Sequence, residues 1–151
     1  MVYLFAIMLQ LASCTNIVEG EIHLIPKGYE GPVIIVFDKQ NGVPEKYENG
    51  SRVYEIPNDG VLRTQFKSQE EGYISMEKLK YYYYDSNGRN EIIYLPTPKE
   101  VKDSITTYIF TKQLAKGNIR YLVGKLSSAE IHYEALQKKL AEVFPPNVTS
   151  M

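Results

Sequence analysis

Apolar positions along this chain change period once. Up to about residue 126 they fall in short alternating or continuous runs separated by turn formers, and beyond Ser127 they recur at helical spacing. Val33 to Phe37 is an unbroken apolar run between Gly31-Pro32 and Asp38, which predicts a strand buried on both faces. Glu21 to Ile25 alternates polar and apolar residues and predicts a half-exposed first strand. A shortened form of this stretch returns at Val53 to Leu62. In both copies Ile-Pro ends a strand, a glycine follows and a new apolar strand begins.

Turn chemistry places the hairpins. Asn49-Gly50 joins Pro44–Glu48 to Ser51–Ile56, Asp85-Ser86-Asn87-Gly88 joins Tyr81–Tyr84 to Glu91–Leu95, and Gly117-Asn118 joins Ile105–Thr111 to Ile119–Leu126. Val61 to Phe66 adds a strand, whereas residues 67–80 are polar and give little periodic signal. Pro96-Thr97-Pro98 predicts an extended loop up to Asp103. Ala129, Tyr133, Leu136, Leu140 and Val143 fall on one helical face, with Ser127 and Glu130 fitting a capping box and Pro145-Pro146 a stop. The expected fold is mainly β, an antiparallel β-sandwich or open barrel of about eight or nine strands with one C-terminal amphipathic helix over residues 128–144.

The 151 residues suit one domain, and 17 Lys and Arg against 18 Asp and Glu leave no field to attract nucleic acid. Thirteen Tyr without a Trp favour strands. The one cysteine, Cys14, can form neither an internal disulfide nor a thiolate metal site. It closes an apolar stretch, residues 1–13, that is too short to span a bilayer but suits a signal h-region, although no Lys or Arg precedes it. Leu11-Ala12-Ser13-Cys14 resembles a bacterial lipobox. That resemblance implies cleavage before Cys14 and a lipid on its thiol, and the pattern along the rest of the chain gives a tether over 14–20, a single β-rich domain over 21–146 and a tail over 147–151. The membrane is then the first partner, reached through the outer membrane or the outer face of the cytoplasmic membrane. Stable attachment needs more than one acyl chain.

Ile25-Pro26-Lys27-Gly28-Tyr29-Glu30-Gly31-Pro32 with its continuation to Asp38, Gly42-Val43-Pro44, and Arg52 to Leu62 resemble an uncharacterised family of bacterial secreted and lipid-anchored envelope proteins. The resemblance covers roughly Ile22 to Leu95 and implies location and fold, with no activity, ligand or catalytic residue to carry over.

Candidate chemistry is sparse. Asp38–Gly42 and Asp85–Gly88 carry hard oxygens but not the calcium-loop spacing, and read as turns. His23 and His132 are the only histidines, which excludes an all-histidine zinc site, and no nucleophile elbow accompanies them. His132 lies beside the apolar face of the predicted helix. Tyr81 to Tyr84 puts two rings on each face of a strand, and Tyr82 and Tyr84 are candidates for a surface aromatic platform that meets a glycan or an envelope protein. No catalytic, metal or cofactor residue is assigned, and the expectation is a non-enzymatic binding or structural module without a small-molecule cofactor. The alternatives are a small envelope hydrolase built on a carboxylate or lone histidine, and an accessory subunit of a surface or secretion assembly that docks through the terminal helix.

Overall fold

Two copies of one corner decide the architecture. The computed structural model describes residues 18–69, 75–95, 106–115 and 117–145. Its strands are β1 (Gly20–Pro26), β2 (Gly31–Phe37), β3 (Tyr47–Glu48), β4 (Ser51–Glu55), β5 (Val61–Thr64), β6 (Leu79–Asp85), β7 (Gly88–Glu91), β8 (Ile93–Tyr94), β9 (Tyr108–Ala115) and β10 (Asn118–Gly124), followed by helix α1 (Ala129–Val143). They form two five-stranded sheets, β3-β4-β1-β6-β7 and β5-β2-β10-β9-β8. The arrangement is a mainly β, two-sheet sandwich with a C-terminal helix.

Each Ile-Pro corner carries the chain from the first sheet to the second. Pro26 ends β1, Gly28 takes a φ of 78° and β2 begins. Ile56-Pro57 ends β4, Gly60 takes a φ of 77° and β5 begins. The two arches stack, so that β1 pairs with β4 and β2 with β5, both in parallel. The corners lock together where the Tyr29 hydroxyl donates to Pro32 O and sits against Gly60. A Cβ on Gly60 would approach Pro32 O to 2.5 Å.

This stacking corrects the expectation of antiparallel pairing throughout. The turn signals at Asn49-Gly50, Ser86-Asn87 and Gly117 make hairpins, with Asn49 at φ 49° and Gly50 at φ 76° as a type I′ turn needs. The Ile-Pro corners join strands of different sheets instead, and both sheets are mixed. The expected strand Glu91–Leu95 is split, since buried Ile92 separates β7 in one sheet from β8 in the other.

The main core lies between the sheets and includes Ile25, Val33, Ile35, Tyr54, Phe66 and Tyr121. A second cluster lies on the far side of β2, where Ile34, Val36, Phe110 and Leu122 meet Leu136, with Leu140 alongside. Helix α1 therefore packs on its own sheet through Ala129, Leu136, Leu140 and Val143. Tyr133, expected on that face, is 52% exposed. Ser128, not Ser127, occupies the N-cap, and its hydroxyl donates to Lys125 O instead of closing a capping box. Among the described residues no helix is long and apolar enough to cross a membrane.

Candidate functional site

Side chains alternate along a strand, so Glu21, His23 and Ile25 share one face of β1 while Ile22 and Leu24 share the other. The polar pair faces inward. Glu21 and His23 are 2% and 0% exposed, and their partners come from the opposite sheet. Lys112 of β9 donates to Glu21 Oε2 at 2.5 Å, and Tyr121 of β10 lies 3.1 Å from His23 Nδ1. The half-exposed strand expected at Glu21–Ile25 is thus fully buried.

Electrostatics fix the protons. Burial alone would raise the Glu21 carboxyl, but the hydrogen bond and charge of His23, together with the Lys112 ammonium, hold it down at about 2. Burial pushes His23 down to about 4 against the opposing pull of Glu21, which leaves a neutral imidazole at pH 7. A carboxylate only accepts, so His23 Nε2–H donates to Glu21 across 2.9 Å, and Nδ1 accepts from the Tyr121 hydroxyl. Burial and then the Glu21 charge keep the Tyr121 hydroxyl well above its ordinary range. The His23 ring stacks on Tyr81 at 4.5 Å, with Tyr54 and Tyr121 at 5.0 and 5.2 Å.

Carboxylate, imidazole and hydroxyl in line could pass a proton, yet Glu21, His23 and Tyr121 are all sealed within the sandwich. The arrangement cross-links the sheets. Sequence reading singled out His23 but missed Glu21, Lys112 and Tyr121. The available signal was the Glu-x-His spacing, which puts both residues on one strand face.

The other expected residues lie apart from this network. His132 belongs to α1 on the outer side of the second sheet, against Gly124, with Nε2 3.9 Å from Glu30. Tyr82 and Tyr84 are half-buried on the outward face of β6, packed over Ile22, Leu24 and Val53. Arg89 of edge strand β7 makes a bidentate bond to Glu48 of the opposite edge strand β3, at 2.8 and 3.0 Å. Strand spacing would hold the edges of a flat sheet about 19 Å apart, so the sheet curls around these tyrosines. Cys14 lies outside the described residues.

The carboxylates of the two turn loops serve the turns. Asp38 accepts from the Gln40 and Asn41 amides, and Asp85 from the Asn87 amide and Lys27. Among the described residues no three His, Cys, Asp or Glu side chains are grouped to hold a metal ion.

An open groove of about 570 Å³ lies beside the second arch, lined by β4, the Pro57–Asp59 corner, β5 and the Val43-Pro44 segment. Its floor is apolar, from Val43, Val53 and Val61, and Lys46 paired with Glu55 stands at its wall. The size is that of a small-ligand cleft.

Fold and site define a mixed two-sheet β protein with a sealed polar core and an open groove beside β5. The chain belongs to the family of unknown function DUF6843, which matches residues 18–139. No curated protein matches it. Among solved structures it is similar to one described as "Putative Lipoprotein from Bacillus anthracis", with 18% identity over 82% of this chain and 94% of that one and a TM-score of 0.46.

Proposed function

We propose that this protein is a lipid-anchored protein of the bacterial envelope whose β-sandwich serves as a non-catalytic binding or structural module. The observation that carries the reading is the position of the only cysteine. Cys14 follows Leu11-Ala12-Ser13 at the end of an apolar stretch and precedes β1 by a short tether. A folded domain so placed stands next to the membrane surface with its loops and sheet edges free to recruit a partner. The non-catalytic part of the reading is supported by the sealing of His23, which bars substrate from the most reactive constellation among the described residues.

Growth with an alkyne fatty acid, followed by click labelling, tests the anchor. Wild-type protein is expected to carry the label and Cys14→Ala to lose it while remaining folded. An unlabelled wild type would remove the lipid anchor from the account.

A further inference from the structure

We infer that the groove beside β5 binds an extended peptide segment of a partner protein, which adds to the sheet edge in parallel with β5. The inference rests on the reading of this protein as a binding module and names the kind of partner.

In the parallel ladder between β2 and β5, Ile34 N–H donates to Gly60 O and Asp38 N–H to Thr64 O. Gly60, Leu62 and Thr64 therefore turn their main-chain groups toward β2, while Val61 and Arg63 turn theirs toward the groove. Two of these outward groups are already occupied. Val61 N–H donates to the Asp59 carboxylate, and Arg63 O accepts from Val43 N–H. Val61 C=O and Arg63 N–H remain, and among the described residues neither has a partner.

The chain itself shows how this pair would be met. Val43 stands opposite Thr64 in a parallel bridge, donating to Arg63 O and accepting from Gln65 N–H. A peptide residue opposite Leu62 would repeat that exchange two residues earlier, donating to Val61 O and accepting from Arg63 N–H. It would also lie along the free edge of β5, against the apolar floor of Val43, Val53 and Val61. The lining charges Lys46 and Arg63 balance Glu55 and Asp59, so recognition falls to main-chain pairing and small apolar side chains rather than net charge.

The test is an amide NMR titration of the full-length protein with the end-blocked peptide acetyl-Thr-Val-Thr-Val-Thr-amide. The all-proline peptide acetyl-Pro-Pro-Pro-Pro-Pro-amide, whose residues carry no backbone N–H, serves as the control. The Arg63 amide is expected to shift downfield and gain exchange protection with the first peptide only. Arg63→Pro removes the N–H and is expected to weaken binding about tenfold, while Arg63→Ala keeps it and binds within about threefold of wild type. Should Arg63→Pro not fold, the Arg63 amide shift in wild type decides alone. Absence of that shift, or equal binding of the proline peptide, overturns the inference. Shifts confined to Tyr82 and Tyr84 would also overturn it, yet would leave the binding module standing with a different surface, and fatty-acid labelling at Cys14 reports on the anchor independently.

Discussion

Strands β1 and β2 occupy neighbouring layers of the sandwich and are equally buried along their length, but they reach that state with opposite chemistry. β2 is apolar on both faces, one against the main core and the other under α1. β1 carries Glu21 and His23 into the sandwich and leaves Ile22 and Leu24 on the outer face, under Tyr82 and Tyr84. Burial without hydrophobicity is tolerated only where each polar group finds a partner, and here Lys112 and Tyr121 cross from the opposite sheet to supply them.

The contrast predicts different ways for the two strands to fail. Lys112→Met strands the Glu21 carboxylate without its cation, and should cost about 3–5 kcal/mol in urea unfolding. If Glu21→Gln is added, part of that loss should return. In β2 the loss is one of packing: Ile35→Val should cost about 0.5–1.5 kcal/mol, with no change in pH dependence. The smallest effect belongs to Tyr81→Phe. Its buried hydroxyl has no hydrogen-bond partner among the described residues, so removal should change stability by less than about 1 kcal/mol.

Acid separates the two strands further. An unfolded chain protonates His23 near 6.5, whereas the folded protein holds it neutral down to about 4. It protonates Glu21 near 4.5, against about 2 when folded. The unfolded state thus binds more protons through both windows, and stability should fall as pH drops from about 6.5 to 4 and again from about 4.5 to 2. His23→Gln should flatten the upper window, as stability measured against pH would show, while Ile35→Val should leave both unchanged.

The same pair of strands explains what was legible in the sequence. The Val33–Phe37 run can satisfy its surroundings only by burial, and the sequence reading of it as a doubly buried strand holds. Alternation in Glu21–Ile25 states that two faces differ but not which one points inward, because the partners Lys112 and Tyr121 lie some ninety residues along the chain. Two-residue hairpins were readable since their turns carry their own φ requirements. The Ile-Pro repeat was readable as a repeat, yet its meaning as stacked arches depends on pairing between distant strands. The terminal helix was legible in extent but not in rotation, as exposed Tyr133 shows.

Imidazole ¹⁵N chemical shifts of His23, followed from pH 8 to pH 4, test the inward-facing polar strand most directly. A neutral ring with its proton on Nε2 throughout the range above about pH 5 is the expected result. Titration near 6.5, or a proton on Nδ1, would contradict a sealed histidine held between Glu21 and Tyr121.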